Sequence, residues 1–561
     1  MRRARRRWDL PDTLSGAGSI LERVLAARGL VSLDVLNGTG HDHDPFLLTD
    51  MDRAVSLVEA AVRERAPIAI YGDYDADGVT ASALLVRVLR AGGMDPIAYI
   101  PNRESEGYGL NAQALEDLAS RGARLVITVD CGTTGIEVVE GRPPGMRLLI
   151  TDHHLPRMDP ATGGALLAPA DALVNPQRPG NRYPFAGLAG VGVAYKLAQA
   201  LELRGLIPSG SAARQLPLAA LGTVADMMPL LDENRFMVRH GLQAWVDSAP
   251  LGLLALARAA GMEGTPSSSD LAFSIGPRIN AAGRMEDASL ALQCLLEDSP
   301  DEASRSAMAL EQMNRDRRAA LAEALAIARP LVAALPEEAP SIVIGSPHFA
   351  AGVVGLIAGR LAEEFQRPTF VYSMSGAEWK GSARGVADLN VVAVLSACSE
   401  GLVRFGGHRG AGGFTLPAGE AHALRFAALV DAAVTAQIGS RNPCRVFRAD
   451  AVIRMSECNL KLSDELAELG PFGMGNPKVL LCSLACRIVS AEMFGPSEDH
   501  LKVVLDDGTA QMEAIAFNRP GISRHLPPGR VVDTLYELEA DRWRGRERLR
   551  LLLRDLRPVQ R

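Results

Sequence analysis

The chain has 561 residues, of which 47% are hydrophobic and 22% charged, and its net charge is −7. This composition offers enough apolar surface to offset the entropy of ordering, so it excludes a disordered or fibrous protein and predicts about three or four domains. No apolar run reaches the ~18–20 residues of a membrane-spanning helix, and the basic start lacks the apolar segment of a secretory signal. The seven cysteines are scattered without zinc-site spacing, which favours reduced thiols in a cytoplasmic protein.

The first predicted elements are an amphipathic helix over 51–64, a short apolar strand near 67–71 and a helix that ends near residue 92. Three acids lie between the strand and the second helix, namely Asp73, Asp75 and Asp77. Ligands of open α/β sheets bind at the carboxyl ends of strands, and crowded carboxylates repel one another unless cations or hydrogen bonds compensate. A solvated acidic turn is the alternative interpretation. A calcium-binding loop is rejected because Leu84 stands where that loop requires glutamate.

Two further apolar runs, over 124–129 and 147–151, predict strands of the same sheet. Their length of about four to six residues and their lack of strict alternation are typical of strands buried on both faces of a parallel sheet. The first delivers Asp130 at its end, and the second delivers Asp152, His153 and His154. Asp226 stands alone in the apolar stretch 221–230, where an unpaired buried carboxylate would be costly, so a cation partner is predicted.

In this order, the motifs GDYDADG, VDCG, TDHH and GTVADMMPL resemble those of the DHH phosphoesterase superfamily. Residues 379–384 and 405–413 are similar to the accessory domain that accompanies DHH nucleases. The segment 471–477 and the β-rich stretch after it resemble the C-terminal part of the RecJ exonuclease family. The segments 101–110 and 276–284 are also RecJ-like, and the resemblance covers about residues 45–558.

Hard oxygen ligands with one or two imidazoles suit Mn²⁺ or Mg²⁺ better than zinc, and such a set can hold two ions ~3.5–4 Å apart. The expected metal ligands are Asp75, Asp77, Asp130, His153 and Asp226, and the superfamily pattern implies that Asp130 serves both ions. We expect Asp152 to orient a neighbouring imidazole, and His154 to contact the scissile phosphate or transfer a proton. Asp73 is either a ligand or a support. Relatives often carry a histidine ligand where this chain has Tyr71.

Three other patterns are read as structural. His41, Asp42, His43 and Asp44 look like a metal clip but lie in a glycine-rich loop without a framing strand. Cys131 is expected to pack behind the turn that carries Asp130. The glycines over 345–359 lack the close spacing of a dinucleotide-binding motif, so no nucleotide cofactor is expected.

Phosphate contacts are predicted in the second half of the chain. Gly406, Gly407 and His408 can bring backbone N–H groups and an imidazole to a phosphate oxygen, and Arg384 can add a bidentate contact. A purely structural glycine-rich turn is the alternative. Further expected phosphate-binding residues are Arg103, Arg278 and Ser382.

Eight arginines lie between 542 and 561, together with Trp543. An arginine-rich surface with an aromatic side chain suits the backbone and bases of a single strand. A solvated edge strand is the alternative. Because strand-like alternation recurs over 445–558, we expect a small Greek-key barrel such as the OB fold there.

The expected fold is therefore α/β, with a DHH-type parallel-sheet catalytic domain, a helical connector, a second DHHA1-like α/β domain and a C-terminal OB-like β-barrel. The predicted ranges are 1–45 for an N-terminal extension, 46–290 for the catalytic domain, 291–338 for the connector, 339–440 for the DHHA1-like substrate-binding domain and 441–561 for the OB-like nucleic-acid-binding domain.

The resemblance implies a two-metal exonuclease, specific for single-stranded DNA and of 5′→3′ polarity, that releases mononucleotides in DNA repair and recombination. Single-strand-binding protein and repair helicases are partners implied at the family level, and no membrane is involved. Two alternatives stay open: a short-oligonucleotide phosphodiesterase of the same superfamily, and a noncatalytic single-strand DNA-binding relative.

Overall fold

The structure is a computed structural model that describes residues 5–11, 18–33, 42–103, 105–107, 109–159, 162–386, 389–439, 444–495, 498–518, 522–543 and 546–559. Contacts divide these residues into two compact units. The smaller unit holds the described residues of Met1–Asp9 and Gln312–Phe447, and the larger unit holds those of Leu10–Glu311 and Arg448–Arg561.

In the first 300 residues, strands alternate with helices, and the described elements after residue 190 are helices. In chain order they are β1 (Arg5–Asp9), α1 (Ile20–Ala27), α2 (Met51–Glu64), β2 (Ile68–Gly72), α3 (Ala76–Ala91), β3 (Ile97–Tyr99), α4 (Ala112–Ser120), β4 (Leu125–Val129), α5 (Ile136–Glu140), β5 (Arg147–Thr151), β6 (Arg157–Met158), β7 (Ala165–Leu166), β8 (Ala172–Val174), α6 (Gly190–Leu203), α7 (Leu216–Ala225), α8 (Asp232–Gln243), α9 (Trp245–Ser248), α10 (Leu251–Ala259), α11 (Ser268–Asp270), α12 (Gly276–Met285) and α13 (Ser289–Leu296).

The rest of the chain begins with one long helix and continues with strands of two further sheets. Its elements are α14 (Pro300–Ala334), β9 (Ile342–Ser346), α15 (Val354–Phe365), β10 (Thr369–Ser373), β11 (Glu378–Arg384), α16 (Val391–Ala397), β12 (Arg404–His408), β13 (Ala411–Pro417), α17 (Glu420–Ile438), β14 (Cys444–Arg448), β15 (Ala451–Val452), α18 (Leu460–Ala467), β16 (Leu481–Phe494), β17 (His500–Asp506), β18 (Gln511–Ala516), β19 (Val531–Trp543) and β20 (Arg546–Pro558).

A parallel sheet with strand order β3-β2-β4-β5-β8 forms the centre of the larger unit. All residues of β2 and β4 are buried, as their continuous apolar sequences predict. The chain leaves β2 to form β3 on one side and returns to form β4 on the other side. This reversal creates a crevice outside the carboxyl ends of β2 and β4, which is where ligands of such sheets bind.

The C-terminal strands form a barrel with the order β15-β16-β17-β18-β20-β19, which closes because β19 also pairs with β16. Closure leaves the alternating residues Leu501, Val503 and Leu505 of β17 buried inside. The helix α1 adds Val24 and Leu25 to the same core. Helix α1 is thus packed against the barrel.

In the smaller unit, a mixed sheet with the order β12-β13-β11-β10-β9 has apolar clusters on both faces. One cluster includes Phe370, Phe414 and Phe426, and the other includes Ala328 and Val332 from the end of α14. β1 pairs with β14 in a separate two-stranded sheet.

The expected fold class, with a parallel-sheet domain, a second α/β domain and a C-terminal barrel, is confirmed. Among the described residues, no helix is both long and apolar enough to cross a bilayer.

Candidate metal centre

The turn after β2 places three carboxylates at the carboxyl edge of the sheet. Asp75 is the N-cap of α3, and its side chain accepts hydrogen bonds from the backbone N–H groups of Asp77 (2.9 Å) and Gly78 (3.1 Å). This capping starts the helix at the next residue and fixes the direction in which the acids of the turn point. Asn280 of α12 also accepts a hydrogen bond from Ala76 N, which ties the turn to the helical part of the unit.

The N-terminus of α6 supports Asp77, whose side chain is almost fully buried. Its carboxylate accepts hydrogen bonds from Gly190 N (2.7 Å) and Val191 N (2.9 Å). Helix N-termini favour anions because their first N–H groups lack partners within the helix. A Cβ at Gly190 would lie 2.5 Å from Asp130 Cβ, so only glycine lets α6 approach both acids.

His153 lies among carboxylates from three different elements. Its Nε2 is 3.0 Å from Asp130 Oδ1, 3.8 Å from Asp77 Oδ2 and 3.7 Å from Asp226 Oδ2. The ligand atoms of three sets each fall within 4.8 Å of one another, and the sets share His153 or Asp130; they are Asp130/His153/His154, Asp77/His153/Asp226 and Asp73/Asp75/Asp130. Two adjacent cation positions that share Asp130 fit this arrangement.

The electrostatics of the cluster favour the binding of cations. Burial, followed by repulsion from neighbouring carboxylates, raises the pKa of Asp77 to about 7 and that of Asp226 to about 9. The same causes hold the pKa values of Asp73 and Asp130 well above the usual range. Buried oxygens of both, Asp73 Oδ1 and Asp130 Oδ1, accept no hydrogen bond of good geometry from the described residues. Ligand sets that consist mainly of carboxylate oxygens suit Mn²⁺ or Mg²⁺. The residues present therefore fit the metal that the sequence predicts.

Asp152 and His154 form an ion pair, in which the charge of each side chain offsets that of the other. The imidazole Nδ1 lies 2.8 Å from Asp152 Oδ1, and the other carboxylate oxygen accepts a hydrogen bond from Thr133 N. Burial alone would raise the pKa of Asp152, but the hydrogen bond and charge of His154 hold it far below its usual value. Burial lowers the pKa of His154, but Asp152 outweighs it and raises that pKa to about 9. This geometry matches the expected orientation of an imidazole by Asp152.

The structure brings the expected acids and histidines together, although Asp226 is at the C-cap of α7 and not at a strand end. Asp73, which the sequence left open, belongs to the group with Asp75 and Asp130. Tyr71 is buried, and its hydroxyl donates to Gly109 O at 2.8 Å. It therefore supports the loop before α4 and is not part of these groups.

The two arginines expected to bind phosphate in this unit have protein partners. The Arg103 guanidinium lies 5.2 Å from the centre of the Tyr74 ring, next to the acidic turn. Arg278 is buried, and its guanidinium donates to Glu311 Oε2 and to Ser274 O, each at 2.6 Å. Arg278 is therefore a structural contact of α12 in this structure as well as a candidate for phosphate binding.

In the smaller unit, the expected phosphate-binding residues lie on strands of its sheet. Arg384 donates to Ser382 Oγ at 3.1 Å on β11, and a Cβ at Gly355 of α15 would be 3.2 Å from Ser382 Oγ. The residues Gly406, Gly407 and His408 belong to β12 and are exposed. The glycine-rich stretch is thus a strand and not a turn, paired with Ala411–Gly413 of β13.

Of the patterns read as structural, Asp42 Oδ1 and His43 O accept hydrogen bonds from the buried Lys196, although Asp42 itself is exposed. His41 lies outside the described residues. Cys131 is buried in the core of the sheet, and all seven cysteines are free. Trp543 pairs with Arg546 through the backbone of β19, and its side chain lies outside the described residues.

The sequence did not reveal the groups that support the acids. The backbone donors Gly190 and Val191 come from about 115 residues further along the chain. Asn280 belongs to a RecJ-like segment in which only Arg278 was singled out. Asn175, which donates to His154 O and Thr133 Oγ1, carried no sequence signal.

Comparisons with known proteins agree with this architecture. Family models match the DHH family N-terminal domain at residues 67–223, the DHHA1 domain at 340–436 and the RecJ OB domain at 449–555. The single-stranded-DNA-specific exonuclease RecJ of Bacillus subtilis is 33% identical over 91% of this chain and 64% of its own length, so this chain spans about two thirds of that relative. The RecJ of Haemophilus influenzae is 32% identical over 96% of both chains.

A crystal structure of RecJ in complex with Mn²⁺ from Thermus thermophilus superposes with a TM-score of 0.83 at 30% identity, covering 99% of this chain and 80% of that one. With a relative of similar length at more than 30% identity and a matching order of three domain models, the chain belongs to the RecJ family.

Proposed function

We propose that the chain is a metal-dependent exonuclease that hydrolyses phosphodiester bonds of single-stranded DNA, with two Mn²⁺ or Mg²⁺ ions at the carboxyl edge of its parallel sheet. The observation that carries the proposal is the cluster of carboxylates around His153. The raised pKa values of Asp77 and Asp226 indicate that bound cations would stabilise these carboxylates in their charged form. Membership of a family of single-stranded-DNA-specific exonucleases supports the substrate. The 5′→3′ polarity is a proposal that rests on the sequence resemblance alone.

Bound ions would supply Lewis acidity, lower the pKa of water and stabilise the charge on the leaving oxygen. The residues that would hold them are Asp75, Asp77, Asp130, His153 and Asp226, with Asp73 as an additional ligand beside Asp75. Asp130 belongs to the sets on both sides of the cluster, which favours a shared role. The N–H groups of α6 hold the Asp77 carboxylate in place and oppose the rise of its pKa, so they favour the charged form that binds a cation.

We assign His154 to the scissile phosphate. Asp152 accepts a hydrogen bond from its Nδ1 and so orients the ring, and we assign the contact with a phosphate oxygen or the proton transfer to Nε2. Asn175 fixes the backbone of the same residue through His154 O. The imidazole is therefore held in one orientation before substrate arrives.

We assign recognition of the phosphorylated DNA end to the smaller unit. Arg384 carries a fixed positive charge, Ser382 a hydroxyl, and the edge strand β12 exposes Gly406, Gly407 and His408. Charge-assisted hydrogen bonds from such groups suit a terminal phosphate. An internal segment of DNA offers no terminal phosphate to these groups, so their use favours release of mononucleotides from an end.

The test is digestion supported by Mn²⁺ of four substrates. Three carry a 5′-phosphate, namely a long single strand, a duplex and a trinucleotide, and the fourth is the same long single strand with a blocked 5′ end. We expect mononucleotides from the long single strand and little from the blocked strand or the duplex. Activity confined to the trinucleotide would favour the short-oligonucleotide phosphodiesterase. Binding without hydrolysis would favour the noncatalytic relative. Contacts with single-strand-binding protein or repair helicases and the cytoplasmic location stay predictions.

A further inference from the structure

Three consecutive residues in the first turn of α8 each bind a different part of the larger unit. Glu233 pairs with Lys196 of α6, and both side chains are fully buried. Arg235 donates to Leu469 O (3.0 Å) and Gly470 O (2.6 Å), which precede the barrel strand β16. Asn234, also fully buried, donates to Gly187 O (2.6 Å) and Pro229 O (3.0 Å).

Both carbonyls that Asn234 holds belong to loops that serve the metal centre. Gly187 precedes by three residues the Gly190 N–H that donates to Asp77. Pro229 follows by three residues Asp226, whose Oδ2 lies 3.7 Å from His153 Nε2. One amide group therefore links the support of Asp77 to the backbone that carries Asp226.

The barrel braces the second of these loops from its other side. Leu230 N donates to Met474 O at 2.7 Å, and Ser268 Oγ donates to Phe472 O at 2.7 Å. A Cβ at Gly473 would lie 2.7 Å from Leu230 Cδ1, so the glycine permits this close approach. The brace, residues 469–476, overlaps the segment 471–477 that the sequence singled out without a role.

We propose that Asn234 is a positioning residue of the metal centre and that Arg235, through the brace, holds the same loop from the barrel. The proposal rests on the metal centre argued above. Metal ligands keep their affinity only while neighbouring groups hold them in coordination geometry. Asn234 is the group that couples the positions of Asp77 and Asp226, and neither acid is in hydrogen-bond contact with it.

The test measures Mn²⁺ affinity by isothermal titration calorimetry on the full-length protein, together with kcat and KM and the free energy of unfolding. For Asn234→Ala, we expect Mn²⁺ affinity to fall about ten-fold or more, the lower end of what loss of a ligand-supporting partner costs. KM for the oligonucleotide at saturating Mn²⁺ should stay unchanged, because no substrate contact is removed. For Arg235→Ala, we expect a smaller fall in Mn²⁺ affinity.

Glu202→Ala is the matched control. Glu202 accepts hydrogen bonds from Gly210 N (2.7 Å) and Ala212 N (2.9 Å) at the opposite end of α6 from the metal centre. Its loss should lower the free energy of unfolding and leave Mn²⁺ affinity unchanged. A general loss of stability would thereby be separated from a loss of ligand position.

Folded Asn234→Ala with the Mn²⁺ affinity of wild type would overturn the proposal. If that variant does not fold, Asn234→Ser replaces it, and if neither folds, unchanged Mn²⁺ affinity in Arg235→Ala overturns the proposal. Failure of the wild-type protein to bind Mn²⁺ would instead overturn the proposed function, so the two failures are distinguishable.

Discussion

The acidic edge of the parallel sheet and the arginine-rich hairpin β19–β20 are two highly charged regions of the chain, and their charges are used differently. At the sheet edge, Asp73, Asp77, Asp130 and Asp226 lie close together with raised pKa values. In the hairpin, charges of opposite sign face each other across the strands. The register pairs Asp533 with Arg557, Glu539 with Arg550 and Asp541 with Arg548.

The ion pairs of the hairpin show how complete this pairing is. Arg554 donates to both oxygens of Glu537 at 2.7 Å, and Arg550 bonds to Glu539 and Asp541. Cross-strand pairs of this kind stabilise a sheet by a few tenths of a kcal/mol up to about 1 kcal/mol each. A dense run of charge in the sequence is therefore evidence for a ligand only where the fold supplies too little opposite charge to compensate it. At the sheet edge, His154 lowers the pKa values of Asp77 and Asp226, but burial and neighbouring carboxylates still raise them above the usual range. In much of the described hairpin, acids pair with the arginines.

The largest expected effect comes from removing the carboxylate that both cation positions share. Asp130→Ala should abolish hydrolysis while leaving the fold and much of the DNA affinity intact, because Asp130 is the carboxylate that two of the three candidate ligand groups have in common. A single-turnover assay with Mn²⁺, and circular dichroism to check folding, would measure this. Turnover like that of wild type would mean that the acids with raised pKa values at the sheet edge are not the metal centre.

The ion pair of His154 and Asp152 lies at the same edge, and we expect its two members to differ in the size of their effect on kcat. His154→Ala should lower kcat by about 10²- to 10³-fold, as expected for loss of a proton-transfer or phosphate-contacting group, with Mn²⁺ affinity largely retained. Asp152→Asn should have a smaller effect, because the imidazole stays but loses its charged partner. The measurement is kcat against pH for both variants. A metal loss as large as that of Asp130→Ala would place His154 among the ligands instead.

In the smaller unit, we expect His408→Ala and Arg384→Ala to reduce the preference for phosphorylated over hydroxyl 5′ ends. Hydrogen bonds to charged groups contribute ~1.5–3 kcal/mol, which corresponds to roughly a 10- to 100-fold loss of preference. The rates on the two substrates, measured with the same Mn²⁺ concentration, give the ratio. Arg404→Ala, whose Nε bonds to Thr415 Oγ1 on the neighbouring strand, is a control on the same strand. An unchanged ratio in both test variants would remove the phosphate role.

The groups with raised pKa values at the sheet edge should also make the stability of the metal-free protein depend on pH. Raised pKa values of Asp77 (about 7), Asp226 (about 9) and His154 (about 9) mean that the folded chain holds protons that the unfolded chain has released. Stability therefore decreases as pH rises from 6 to 9. Urea unfolding with a chelator should show this decrease, saturating Mn²⁺ should reduce it, and Asp226→Asn should make it shallower. A metal-free stability that increased over this range would contradict the stated pKa directions.

The smallest effect is expected in the hairpin. Arg554→Ala should change the affinity for a long single strand by less than about two-fold, because Glu537 already neutralises the guanidinium at a partly exposed site. The salt dependence of binding should also stay the same, since no phosphate contact is lost. Fluorescence anisotropy at several salt concentrations would test both. A clearly shallower salt dependence would show that DNA displaces the acid and uses the arginine.

Much of the catalytic domain could be predicted because its signals are local. Continuous apolar runs followed by acids specified β2, β4 and β5, and the parallel register then brought their ends to one edge. The helical position of Asp226 was not evident, because the apolar stretch 221–230 has no periodicity that separates a buried helix from a buried strand.

The supporting groups could not be predicted because they come from distant parts of the chain. Asn234 bonds to carbonyls that are 47 and 5 residues away, and Arg235 bonds to carbonyls 234 and 235 residues away. The arginines of β20 suggested a DNA surface, because their partners on β19 became apparent only from the strand register. Charge in a sequence does not reveal its counter-charge until the fold is known.

The most direct test of the account is the number of Mn²⁺ ions that one chain binds. Calorimetric titration of wild type should show two ions, with hydrolysis following occupancy of the second, because shared carboxylates hold both for catalysis. Asp130→Ala should lose at least one of them. The opposite result is full hydrolysis of single-stranded DNA by a wild-type chain with one ion or none. It would contradict the assignment of the sheet-edge acids to a two-metal centre.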